Sequence, residues 1–132
     1  MNQRTRRILI VVTIVLGVLA IALISVNSIS EGRANNTAVR LQQQIKPGMT
    51  VRDVLKVGKT FASFHPITMS VSPDATPGPA WFTGSRGTAF YFPSSYAGWL
   101  CINEVAIIVN YRFVNNTLRV VNTEKQPAFT CV

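Results

Sequence analysis

The chain has 132 residues, with 13 Lys and Arg against 5 Asp and Glu, a net charge of +8 and 48% hydrophobic residues. Three of those charges, Arg4, Arg6 and Arg7, precede an apolar N-terminal run that inflates the hydrophobic share, so what remains is one moderately basic domain of ordinary size. Its charges are scattered and no recognised motif accompanies them, which argues against nucleic acid; such a surface fits anionic lipid head groups, acidic glycans or an acidic protein face.

The segment 8–29 opens at Ile8, closes at Ile29, and contains neither a charge nor a proline. As a helix at about 1.5 Å per residue it covers about 33 Å, enough for a hydrocarbon core of about 30 Å. Within 8–26, 14 residues are Ile, Leu or Val, worth about −4 to −8 kcal/mol of insertion free energy as an upper bound. A transmembrane helix is expected, and the arginines before it favour a cytoplasmic N-terminus. The chain then divides into a cytoplasmic basic flank over 1–7, a transmembrane signal anchor over 8–29 and an exported domain over 30–132, placing it in a bacterial inner membrane as a single-pass protein. The alternative is a cleaved signal peptide and a secreted or periplasmic product. Small residues up to Ser28 and Ser30 suit a peptidase, but the unbroken apolar core over 8–24 exceeds the usual length of about 7 to 15 residues.

After the span, Ser30-Glu31-Gly32-Arg33 leaves no room for a stalk, so the domain is expected close to the bilayer. Ala34, Ala38, Leu41 and Ile45 share one helical face and predict a thinly amphipathic helix over 34–45, continuous with the membrane helix unless Gly32 breaks it. Pro47-Gly48 predicts a turn. Thr50 suits an N-cap, Asp53 the capping-box position and Gly58 a left-handed C-cap, with Val51, Val54 and Leu55 facing a core shared with Leu41 and Ile45.

The remainder reads as strands. Alternation of Ile67, Met69 and Val71 predicts one over 67–71, followed by a proline-rich loop over 72–80. A strand over 88–92 places Phe90 and Phe92 on one face and Tyr91 on the other, and 93–98 is expected to turn. A long strand over 100–113, a turn at Asn115-Asn116 and a return strand over 117–122 form a hairpin, with a short final strand over 129–132. The predicted fold class is α+β: an N-terminal transmembrane helix followed by a small domain of two short helices packed on an antiparallel β-sheet. Cys101 and Cys131 both lie in the exported part and are expected to pair, stabilising the domain by roughly 3 to 4 kcal/mol.

The pattern Ile45, Gly48-Met49-Thr50, Val54-Leu55 and Gly58 resembles the small envelope proteins of the SmpA/OmlA (BamE) type, which share their fold with β-lactamase-inhibitor-like domains. The resemblance spans residues 45–58 and the later strand pattern, and it implies a helix-turn-helix packed on a small antiparallel sheet. Two features depart from that family: no lipobox cysteine follows the apolar run, and Lys59-Thr60 replaces its usual proline.

Residues that carry chemistry are sparse. His65 is the only histidine and precedes Pro66, and of the five acids Asp53 already has a role as a helix cap, leaving Glu31, Asp74, Glu104 and Glu124. Gly84-Ser85-Arg86-Gly87 lacks both the nucleophile elbow and the phosphate-loop lysine, and no metal-ligand spacing occurs. No catalytic, cofactor or metal residue is expected; an enzyme would have to use His65 and Glu104. Aromatic residues, in contrast, crowd into 81–99 beyond what one strand face can bury. They point to an interaction surface of Trp81, Tyr91, Tyr96 and Trp99 with Arg86 nearby. The function expected is a non-catalytic, membrane-anchored module for an envelope protein partner; the alternative is an exported inhibitor or immunity-type protein that blocks an enzyme.

Overall fold

A computed structural model describes residues 2–61, 68–69, 87–96 and 101–131. It has the predicted α+β class: two helices, α1 (Gln3–Gln44) and α2 (Val51–Phe61), and four strands, β1 (Thr68–Met69), β2 (Gly87–Tyr96), β3 (Cys101–Val114) and β4 (Thr117–Cys131). The strands form one antiparallel sheet in the order β1-β2-β3-β4.

The membrane-length segment and the first domain helix are one element. Gly32 does not break α1: its intrinsic cost of about 1 kcal/mol is outweighed once the following turns dock. The first of the two short helices is thus the end of a 42-residue rod, and the boundary expected at residue 30 falls inside it. Ala34, Ala38 and Leu41 are buried, with Ile45 just beyond the last turn, as the helical spacing predicts. None of the apolar window of α1 is covered by the rest of the chain, and the helix is long and apolar enough to cross a membrane. Thr13 and Ser25 satisfy their hydroxyls within it by donating to the carbonyls of Leu9 and Ile21 at 2.9 and 2.8 Å.

Between the helices, Pro47 and Gly48 form the turn, with Gly48 at φ 88° and the Met49 amide donating to the Lys46 carbonyl at 3.2 Å. This turn is fastened to β4: the Gly48 amide donates to the Val120 carbonyl, and the Val120 amide to the Met49 carbonyl, both at 2.9 Å. The Thr50 hydroxyl and the Asp53 carboxylate then cap α2 reciprocally, at 3.2 Å from the Asp53 amide and 3.2 Å to the Thr50 amide. Gly58, expected as a left-handed C-cap, lies instead within α2 and is buried. Its lack of a side chain makes room for Phe90: a β-carbon there would overlap the ring.

Phe90, Phe92, Ile107, Val109 and Tyr111 on the sheet meet Leu41, Ile45, Val51 and Val54 in one core. Inside it the hydroxyls of Thr88 and Tyr111 lie 3.0 Å apart, so each has a partner. The β3–β4 hairpin turns at Asn115 and Asn116, both with positive φ (49° and 60°), matching the twist of a two-residue hairpin.

Two proline positions depart from expectation. Residues 93–96 do not turn; β2 continues through Pro93 to Tyr96, with a register shift between Pro93 and Ser95 that interrupts the ladder where the proline lacks its donor. The strand expected over 117–122 and residues 129–131 of the one expected over 129–132 are a single strand, β4, running through Pro127 on the outermost strand of the sheet, with Val132 outside the described residues. Of the strand expected over 67–71, Thr68 and Met69 pair with Ala89 and Thr88; the rest of it, and the loop over 72–80, lie outside the described residues.

Candidate functional site

Among the described residues, a concavity lies where α1 leaves its exposed apolar stretch and meets the sheet. Glu31 and Asn35 are one helical turn apart and so share a face of α1, and opposite them stand Val105 on β3 with Lys125, Pro127 and Ala128 on β4. These residues bound an open groove of about 430 Å³. The Lys125 ammonium donates to the Asn35 side-chain carbonyl at 2.8 Å, tying the outer strand to the helix. Further along, the Gln42 amide donates to the Thr123 carbonyl at 3.2 Å. Glu104, Ser94, Asn103 and Gln126 complete the lining, so the groove combines two carboxylates, an Asn35-held ammonium and amide groups with the apolar Val105, Pro127 and Ala128.

On the opposite face, β4 carries a polar row. Asn110 and Asn122 each donate to one oxygen of Glu124 at 3.3 Å, and Gln126 donates to the other at 3.2 Å. Such cross-strand pairs stabilise the face that carries them. Glu104, whose register puts it on that face, is buried and accepts from the Thr130 hydroxyl at 2.8 Å. Among the described residues no group of three or more His, Cys, Asp or Glu is placed to hold a metal.

Of the predicted interaction surface, Tyr96 is 75% exposed at the end of β2, and Tyr91 is half-buried on the face opposite Phe90 and Phe92. Trp81, Arg86 and Trp99 lie outside the described residues, as does His65. Cys101 and Cys131 are joined as expected; they are register partners at the far end of the β3–β4 hairpin from its turn. Beside them Phe129 is 60% exposed. No local sequence pattern announces the groove. Asn35 and Lys125 are 90 positions apart, and Asn35 in isolation reads only as part of a glycosylation sequon.

Among the described residues, Asp53 and Tyr111 have shifted protonation equilibria. The Asp53 carboxyl is held below its ordinary value, first by the Thr50 hydroxyl at 2.7 Å and then by the Thr50 amide. Burial pushes the Tyr111 hydroxyl up, and its bond to Thr88 opposes that shift.

These features define a class: an α+β domain built directly onto the end of a membrane-length helix and closed at one end by a disulfide. Comparison with known protein families, curated proteins and solved structures finds no match to the chain.

Proposed function

We propose that this chain is a single-pass envelope protein with a cytoplasmic N-terminus, and that its exported α+β domain is a non-catalytic interaction module for a protein partner near the membrane. The observation that carries the reading is the continuity of α1, which supplies both the membrane-length segment and the core residues Ala34, Ala38 and Leu41. A domain held without a linker presents fixed faces at a fixed height, which suits a docking platform better than a diffusing enzyme. The arginines before the span support the orientation. The outer strand β4 supports the contact: Val121 is exposed there, and Glu124 and Lys125 add charges of both signs. The resemblance of residues 45–58 to SmpA/OmlA-type proteins points to the same compartment.

The test places p-benzoylphenylalanine at Val121 in the full-length protein in its native membranes and reads intact masses after irradiation. A single defined protein adduct on a membrane-retained chain is expected. The absence of any protein adduct refutes the interaction module. A soluble product lacking the first thirty or so residues refutes the anchor, and an adducted enzyme that has lost activity supports the inhibitor reading instead.

A further inference from the structure

Three contacts fix the direction in which β4 runs along α1. Asn35 meets Lys125, Gln42 meets Thr123, and the turn after α1 meets Val120 through Gly48. As α1 advances away from its apolar stretch, the β4 numbering falls, so the two run antiparallel. The C-terminal end of β4 therefore points back toward residues 8–29. That end also holds Cys101, Cys131 and, through Ile102, the last residue of β2, Tyr96.

The height of this end follows from two rises. From Lys125 to Phe129 is about 13 Å of strand, whereas from Asn35 back to Ile29 is about 9 Å of helix. With the strand tilted to the helix by anything up to about 45°, its projection remains about 9 to 13 Å. Phe129 thus reaches the level of the last turn of the apolar segment. Tyr96, paired with Ile102 and through it with Thr130, stands in the next row along the strands. The presence of Glu31 opposite Pro127 and Ala128 in the groove gives the same height independently.

Tyr96 and Phe129 are 75% and 60% exposed, and their register partners, Ile102 and Asn103, put them on opposite faces of the sheet. An exposed aromatic on each face of a strand end, at the level where a span leaves the bilayer, is the arrangement of an interfacial belt. Arg33 is exposed on α1 about one helical turn beyond Ile29, from where a long basic side chain reaches lipid phosphates. We propose that the disulfide-closed end of the sheet rests in the head-group layer of the bilayer that α1 crosses, with Tyr96 and Phe129 as its anchors. The occupant of this surface is lipid, and the inference rests on the reading of 8–29 as a retained span. Asn115 and Asn116, at the other end of the hairpin, point away from the membrane.

The experiment uses the full-length protein in proteoliposomes of phosphatidylethanolamine and phosphatidylglycerol, with p-benzoylphenylalanine at Tyr96, Phe129 or, as the distal control, Val114. Intact mass after irradiation reads the result. Addition of one phospholipid mass at 96 and 129 but not at 114 is expected. A full-length, membrane-retained chain without lipid adducts at 96 and 129, or with equal adducts at all three sites, overturns the proposal while leaving the anchor standing. Protein adducts at 96 and 129 in native membranes overturn it in favour of a partner there. A mass lacking the N-terminal segment overturns both the proposal and the anchor.

Discussion

Gly58→Ala separates two roles for a glycine that the local sequence does not distinguish. In an exposed helix interior this change is stabilising by about 1 kcal/mol, because alanine loses less backbone entropy. At Gly58 the new methyl would sit inside the ring of Phe90, which is 1% exposed and packed in the same core as Leu41, Val54 and Ile107. The ring has nowhere to swing, so α2 must lift or Phe90 must leave its rotamer, an overpacking cost of roughly 1 to 3 kcal/mol. The middle of that range, less the propensity gain, leaves a net loss of about 1 kcal/mol, equivalent to a fall of about 4–8 °C in Tm for a domain of this size.

Gly32→Ala is the matched control. It lies in α1 with nothing within 4 Å, so only the propensity gain applies and Tm should rise. The assay is thermal unfolding of the full chain in detergent micelles, followed by near-ultraviolet circular dichroism, which reports the packed aromatics. A second arm combines Gly58→Ala with Phe90→Leu, which removes the overlapping ring atoms; the double variant should lose less than the sum of the singles by about 1 kcal/mol or more. If Gly58→Ala raises Tm as Gly32→Ala does, the close approach of Phe90 is not what excludes a side chain, and the packing of α2 on the sheet described above is wrong.

Four further outcomes follow from other contacts in the domain. Reducing Cys101–Cys131, or replacing both with serine, should cost about 3.5 kcal/mol of domain stability in the chain-entropy model for a separation of 30 residues, measured by urea unfolding with and without reductant. Tyr111→Phe should cost roughly 1 to 2 kcal/mol because it removes the partner of the fully buried Thr88 hydroxyl, and adding Thr88→Val should recover part of that loss in the same assay. The Asp53 carboxyl is depressed in the folded state, so its contribution is fully present above the unfolded value of 3.8 and disappears as pH falls through the lower, folded value. Wild type should therefore show a loss of stability at acid pH that Asp53→Asn lacks, seen as a smaller difference between the two Tm values at pH 2 than at pH 7. Thr50→Ala removes the same cap at all pH values and should cost about 1 kcal/mol.

What the sequence announces here is what is decided within one or two turns of chain. Ala34, Ala38, Leu41 and Ile45 are legible because their spacing alone puts them on one face; Thr50 and Asp53 because a cap is a contact across three residues. Asn115 and Asn116 are legible for the same reason: few residues tolerate the left-handed backbone that a tight hairpin requires. Pro93 and Pro127 mislead because a proline forbids a strand only where its missing amide would be needed. Whether it is needed depends on a register shift in one case and on being the outermost strand in the other, and neither is encoded beside the proline.

Gly58 and the groove mark the limit of local reading more sharply. Gly58 was recognisable as a special position, yet its reason, the ring of Phe90, lies 32 positions away on the sheet. Asn35 and Lys125 come together only because the turns of α1 after Gly32 lay Ala34, Ala38 and Leu41 against the strands. The aromatic excess over 81–99 did carry information, since more rings than one face can bury forces some outward, and Tyr96 is outward. What it could not convey is direction. That came from the antiparallel course of β4 along α1, which converts an exposed tyrosine and an exposed phenylalanine from two isolated surface residues into a pair at one height. The uninterrupted helix is therefore the feature on which the proposed seating at a membrane depends: a flexible break at Gly32 would leave the core from Ala34 onward intact and remove the fixed height that the proposal assigns to Tyr96 and Phe129.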